Sequence, residues 1–239
     1  MSRITHFHKV NKTAYLSFSP LEKYDFFFHG FLLKNSPVQN IKRSLKKLGL
    51  KQATLLIPEQ VHSKRILTLK NKKSYRKLKT EGYDGILTDV PGMVLTVRVA
   101  DCLPIFLVDP VLKITGLVHA GWKGTLMGVV REGVERAKSA FGSNPENLVF
   151  VFGPCIGKCC YQVSESLAIL FPGDCLVLSR GKIRLDLVKA NLKQLLRSGV
   201  KREKIFLSNL CTFCEPELFY SFRRDRDRKK RMTAFIGIK

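Results

Sequence analysis

Between residues 91 and 120 the chain reads PGMVLTVRVADCLPIFLVDPVLKITGLVHA, three apolar runs separated by short turn signals. Val94, Leu95, Val97 and Val99 follow one another too closely for a strand with one wet face, so this run predicts a sheet covered on both sides. LPIFLVDP is a second strand beyond Asp101 and Cys102, and Asp109 and Pro110 turn the chain into a third, KITGLVHA, which carries His119 to its end. Such strands need a large core, and 239 residues with 45% apolar side chains and 16 Phe can form one. No Ser/Gly-rich or Pro-rich linker and no internal repeat divides the sequence, so one domain over residues 1–239 is expected.

Around these strands, local signals place the other elements. SPVQNIKRSLKKLG predicts a helix with Ser36 as N-cap, Pro37 at N1, Gln39 completing a capping box and Gly49 at the stop; Val38, Ile41, Leu45 and Leu48 form its stripe. ATLLIPEQVH predicts a short strand that breaks at Pro58 and delivers His62 into a loop, and YDGILTD a strand over 83–89. GWKG then leads into a helix expected to begin near Thr125, with Leu126, Val129, Val130, Val134 and Ala137 on its apolar stripe. NLVFVFGP reads as a buried strand feeding the loop CIGKCCYQV; Ser164 caps a short helix, and Asp186 caps a longer one that stops at Gly199. KIFLSN and FIGIK supply the last strands.

The formal net charge is +23, with basic residues concentrated at 63–79 and 223–231. That charge raises nucleic acid as a partner, but no helix-turn-helix, zinc-finger or aromatic RNP pattern accompanies it, so a non-catalytic nucleic-acid-binding module stands as an alternative only. Seven cysteines and an opening MSRITHFHKV without an apolar run point to a reducing, cytoplasmic setting. Arg98, Asp101 and Pro104 interrupt the longest apolar stretches well short of the roughly 20 residues a membrane helix requires, so no membrane partner is expected.

His62, Cys102 and His119 each fall at a strand end or in the loop after it, and imidazole with thiolate is a donor set that zinc selects. Three such ligands leave a fourth position open, as in a catalytic site. The same residues admit another reading, a cysteine hydrolase with Cys102 as nucleophile and His119 as base. Cys155 and Cys159 form a CxxxC, and Cys211 and Cys214 a CxxC, which together suit a second, structural zinc; Cys160 and Cys175 carry no pattern. GxSxG, Walker A and GxGxxG motifs are absent, which removes serine-hydrolase, P-loop and dinucleotide readings.

QVH (60–62), DGILTD (84–89), PGMVLTVRVADCLP (91–104), HAGWKG (119–124) and FGPCIGKCCYQV (152–163) are followed by LDL (185–187), CT (211–212), FYSFRRD and RM. In this order they resemble the laccase-domain, purine nucleoside phosphorylase family of YfiH-like proteins, over about residues 53–239, with residues 1–52 divergent. The resemblance implies an α+β fold of four layers, α/β/β/α with mixed sheets, and a zinc site made by His62, Cys102 and His119. It implies phosphorolysis of adenosine, inosine, guanosine and methylthioadenosine, and adenosine deamination, so purine nucleoside and phosphate are the expected partners. The family's older association with copper oxidation is disfavoured, because five histidines are too few for several coppers. The chain departs from the family pattern in FFFHGFLLKNS, which keeps Gly30 and places His29 beside it, in Lys123 where Arg is usual, in Arg98, and in lacking a glycine before Arg231.

The chemistry then assigns roles. Zinc brings the pKa of a bound water toward ~7, producing a nucleophile for C6 of adenosine. Asp84 and Asp101 are candidates to protonate the departing ammonia or to fix a histidine tautomer. Arg223, Arg224 and Lys123 are the candidate phosphate ligands, while Arg226 and Arg228 read as solvated.

Overall fold

The computed structural model describes residues 4–10, 13–34, 36, 46, 54–70 and 80–239. Along them run β1 (Thr5–Val10), β2 (Thr13–Phe18), β3 (Phe27–Leu32), β4 (Thr54–Leu56), β5 (Ile66–Leu69), β6 (Gly85–Thr88) and β7 (Met93–Val99). Then come β8 (Leu103–Asp109), β9 (Ile114–Ala120), β10 (Val149–Phe152), β11 (Leu176–Ser179), β12 (Lys182–Leu185), β13 (Ile205–Leu207) and β14 (Met232–Ile238). Two six-stranded sheets form, ordered β1-β2-β3-β14-β7-β4 and β13-β10-β8-β9-β6-β5, with β11 and β12 as a separate hairpin. Both sheets are mixed: β4 with β7, β5 with β6 and β10 with β13 are parallel, and the remaining pairs are antiparallel. With helices packed on the second sheet, the fold is α+β.

The three apolar runs are β7, β8 and β9, and they do not share a sheet. β7 lies in the first and β8 and β9 in the second, so Ala100, Asp101 and Cys102 form the step where the chain crosses between sheets. Period-two alternation sorts the side chains on either side of β8 and β9. Phe106, Val108 and Leu117 meet Leu95, Val97, Ala234 and Ile236 in the core between the sheets. Ile105, Leu107, Val118 and Ala120 face the other way, toward Val130, Val134 and Ala137 of the helix Val129–Phe141 and Leu187 and Leu195 of the helix Leu187–Arg197. Each of these fully buried aliphatic side chains contributes roughly 1.5–3 kcal/mol relative to exposure. His119, two residues beyond Leu117, shares its face and therefore points into the gap between the sheets.

Several expectations need correcting. The helix placed near Thr125 starts at Trp122, ends at Met127, and resumes as Val129–Phe141. Gly128 (φ +84°) makes the break: its left-handed backbone donates to the carbonyls of Gly124 and Thr125 and redirects the chain, which leaves Leu126 exposed and off the stripe. The helix expected over 36–49 lies largely outside the described residues. Ser36 is described, and its hydroxyl bonds both backbone groups of Ala14. Strands β1, β2, β3, β5, β11 and β12 add to the sequence reading; β3 matters most, pairing with β14 from Leu32–Thr233 to Phe27–Ile238. Ser164 and Asp186 cap their helices as expected, accepting from the backbone N–H of Leu167 and Lys189. Among the described residues no helix is long and apolar enough to cross a membrane.

Candidate active site

The loop carrying His62 is held from two sides. Gln60 grips the edge of β7: its Nε2 donates to the Arg98 carbonyl (2.9 Å) and its Oε1 accepts from the Arg98 N–H (2.7 Å). Asp84, fully buried at the entry to β6, accepts from the backbone N–H of Val61 (3.3 Å), His62 (2.9 Å) and Ser63 and from the Ser63 hydroxyl (2.8 Å). These bonds hold His62 at φ +60°, a conformation that costs a non-glycine residue of order 1–3 kcal/mol. Asp84 Oδ1 also accepts from His119 Nδ1 (2.8 Å), which fixes the tautomer and leaves Nε2 turned to Cys102.

Cys102 sits on the step between the sheets. Asp101 before it is left-handed (φ +88°) and tied down three times: its carbonyl accepts from Ile156 N–H (2.9 Å), and its carboxylate from Thr212 Oγ1 (2.7 Å) and Arg223 N–H (2.7 Å). Its turn aims Cys102 Sγ to 3.9 Å from His62 Nε2, and the rings of His62 and His119 lie 4.9 Å apart at 75°. One donor atom from each of His62, Cys102 and His119 lies within 4.8 Å of the others. A tetrahedral ion with bonds of roughly 2.0–2.3 Å needs edges near ~3.5 Å, within a small side-chain adjustment, so the trio fits a metal ion. Gly121 closes the back of the trio, where a Cβ would lie 3.0 Å from His62 Cδ2 and 3.1 Å from Cys102 Sγ.

Electrostatics favours the ligand form of the thiol. Burial alone would raise Cys102, but the His119 and His62 imidazoles outweigh it and pull the thiol down to about 6. Burial alone would lower His119, but Cys102 and Asp84 push the imidazole up to about 9. For Asp84, burial is outweighed by His119 and Ser63, which hold its carboxyl below the ordinary value. The other three histidines are committed elsewhere: His6 to Glu22, His8 to Ser17, and His29 as acceptor of the Phe18 N–H.

Two cavities meet at the trio and share His62, Ala100, Cys102 and Phe222. One, of about 280 Å³, has aromatic walls from Trp122, Tyr161 and Phe222, and Asp101, Arg223 and Arg226 also line it. The other, of about 840 Å³, includes His119 and four cationic side chains, Arg98, Arg228, Lys229 and Arg231. The basic stretch 223–231 therefore faces the trio, and Arg226 and Arg228, read as solvated, line its cavities.

The remaining candidates separate. Arg223 donates Nη1–H to the Gln162 carbonyl (2.6 Å), lies over Tyr161 and lines the smaller cavity. Arg224 does not fit the phosphate role: all five N–H groups are engaged, by the carbonyls of Thr212, Phe213 and Phe219 and by both Asp225 oxygens. Lys123 is exposed, its Nζ 5.5 Å from the Trp122 ring, and lines neither cavity. Asp84 lies behind His119 and lines neither cavity, which suits it to fixing the histidine rather than donating a proton. The four clustered cysteines are Cys159, Cys160, Cys211 and Cys214. Cys155, expected among them, turns its side chain into the helix-side core, and Cys160 takes its place. Gln60, Gly121 and the aromatic walls lie inside the QVH, HAGW, FGPCIGKCCYQV and FYSF motifs, but only contacts distant in sequence reveal their use.

A sequence model of the family described as multi-copper polyphenol oxidoreductase laccase matches residues 33–239. Purine nucleoside phosphorylase YlmD of Bacillus subtilis (strain 168) is 37% identical over 193 residues, covering 76% of this chain and 69% of that protein. Adenosine deaminase RL5, from an unknown prokaryotic organism, is 32% identical over 193 residues, covering 74% and 72%. In other curated relatives the matched stretch spans 60% of one protein's length and 39% of another's. The crystal structure of YlmD from Geobacillus stearothermophilus superposes with a TM-score of 0.86 at 30% identity, covering 98% of both chains. A family match that runs from before β4 through β14 and spans the positions of the trio means that the chain belongs to this laccase-like family, with the YlmD and YfiH proteins.

Proposed function

We propose that the protein is a zinc-dependent purine nucleoside enzyme, which cleaves adenosine, inosine, guanosine and methylthioadenosine with phosphate and deaminates adenosine. The observation that carries this reading is a metal-competent trio standing between an aromatic cleft and a cationic one. The names of YlmD and adenosine deaminase RL5 suggest the two reaction classes. His62, Cys102 and His119 would hold the ion, which supplies Lewis acidity at neutral pH when bound. Copper clusters do not suit the site, because the other three histidines are engaged elsewhere and one trio accommodates one ion.

The chain's own residues do the rest. Trp122, Tyr161 and Phe222 present flat apolar faces to a purine. Arg223, braced by Gln162 and Tyr161, reaches the ribose and its substituents. Arg98, Arg228, Lys229 and Arg231 hold phosphate. In phosphorolysis a phosphate oxygen bonds C1′ as the C1′–N9 bond breaks and its electron pair departs with the base, so fixing the anion on one side and the purine on the other lowers the barrier. Asp84 positions both histidines, and Asp101 positions Cys102 and the Arg223 backbone.

The test is product analysis of adenosine and inosine with and without phosphate. Free base with a ribose phosphate should appear only when phosphate is present, and inosine should form from adenosine without it. Cys102→Ser should lose both, at least ~100-fold. Base release indifferent to phosphate, or full activity in the variant, would refute the proposal. The low thiol value of Cys102 beside the raised His119 favours one competing reading, a cysteine hydrolase. Iodoacetamide distinguishes the two: ligation protects Cys102 only while zinc is present, whereas a dyad thiolate is alkylated regardless.

A further inference from the structure

We infer that Cys159, Cys160, Cys211 and Cys214 form a second metal site, separate from the trio, which takes one zinc ion and clamps the loop that lines the aromatic cleft to the loop that holds Asp101. The four Sγ atoms lie within 4.8 Å of one another, with Cys160 at 3.3 Å and Cys159 at 3.6 Å from Cys214. A zinc ion bound by four thiolates at ~2.3 Å has S···S edges near ~3.8 Å, so the cluster already has the size of the cage. Its ligands come in two pairs from two turns, one in the loop after β10 and one in the loop after β13, and those strands are parallel neighbours.

A second observation points to an anionic sulfur. Cys211 Sγ accepts the backbone N–H of Gly157 (3.2 Å). A backbone N–H given to a cysteine sulfur favours its thiolate, the form that binds a metal. Four soft anionic ligands with no open position suit zinc in a structural site. Cys159 and Cys214 are exposed, which gives the ion a way in. Binding exchanges protons only: four thiols release four protons as four Zn–S bonds form, and nothing is oxidised.

The ion's place in the fold gives it a consequence. The first loop carries Ile156 and Tyr161 into the smaller cavity. The second carries Thr212, whose hydroxyl holds Asp101, and the Thr212 and Phe213 carbonyls anchor Arg224. Joining the loops at their tips braces the cavity wall and, through Asp101, the turn that aims Cys102.

The experiment counts zinc by elemental mass spectrometry in the purified wild type, Cys102→Ala and the double variant Cys159→Ser/Cys214→Ser. Two ions, one and one are expected. Because the double variant can fail by misfolding, Cys102→Ala carries the decisive arm, since it keeps all four cysteines. Stripped of metal and titrated with cobalt(II), it should develop intense tetrahedral d–d bands and a sulfur-to-cobalt charge-transfer band, both bleached by one equivalent of zinc. Zinc-free Cys102→Ala with no such spectrum would overturn the inference, as would a disulfide among the four cysteines in protein purified under reductant. Failure of the trio reads differently: wild type and Cys102→Ala would then hold the same single ion.

Discussion

Asp84→Asn tests the idea that one buried carboxylate organises the trio. Five donors converge on Asp84: the N–H groups of Val61, His62 and Ser63, the Ser63 hydroxyl and His119 Nδ1. An asparagine replaces one acceptor oxygen by an NH2 group, so whichever way it turns it confronts two N–H donors with another donor. Each buried donor left unsatisfied costs about 1–3 kcal/mol, and the Ser63 hydroxyl can rotate to accept, so a loss of ~2–5 kcal/mol of stability is expected. This is a large share of the ~5–15 kcal/mol typical of a domain. Freed from Asp84, His119 loses its fixed tautomer, which should weaken zinc at the trio ~10–100-fold. Urea unfolding of metal-free protein and zinc competition against a chelator measure the two effects. The pH dependence adds a sign. The carboxyl is held below its ordinary value, so its stabilisation is complete above the unfolded value of ~3.9 and is lost as pH falls through the lower folded value. The variant's stability curve should be flatter there. A variant within ~0.5 kcal/mol of wild type that binds zinc within about threefold would refute the reasoning.

Other perturbations probe neighbouring parts. Gly121→Ala places a methyl 3.0 Å from the His62 ring and 3.1 Å from Cys102 Sγ, so zinc affinity should fall about tenfold with ~1–3 kcal/mol of strain; unchanged affinity would show that the backbone there has room. His29 is buried and, mainly through desolvation, held down to about 4 against ~6.5 unfolded. Because the unfolded chain takes up that proton first, stability is full above ~6.5 and falls by up to ~3 kcal/mol as pH drops toward 4. Urea midpoints at pH 7.5 and 5 should diverge in wild type and converge in His29→Gln, and equal divergence in both would exclude His29 as the cause. Arg224→Ala should cost ~2–4 kcal/mol of stability by orphaning three carbonyls, with KM hardly altered in the folded fraction. Arg223→Ala should raise KM about tenfold with less than ~1 kcal/mol of destabilisation; the reverse pattern would undo the division between the two arginines.

What could be read along the chain was whatever depends on near neighbours. Apolar runs marked β7, β8 and β9; caps at Ser164 and Asp186 marked helix starts; and His62, Cys102 and His119 drew notice as metal-loving side chains at strand ends. Those signals act within a few residues, where backbone geometry and side-chain periodicity decide the outcome. Assignments that depend on convergence came only from the folded chain. A single glycine at φ +84° split a helix that the stripe made continuous. The turn from Gly157 to Tyr161 brought Cys160 to Cys214 while Cys155 went into the core, a matter of which way each loop side chain faces. Asp84, open to either an acid or a tautomer-fixing role in the sequence, became the anchor of two histidines because five donors from two distant segments meet at it. Adjacent arginines parted because one guanidinium is enclosed by carbonyls and the other borders a cavity. The crossing between sheets at Asp101 and Cys102 lies behind much of this: residues at the ends of separate strands become neighbours only when two twisted sheets pack and their edges close on one gap.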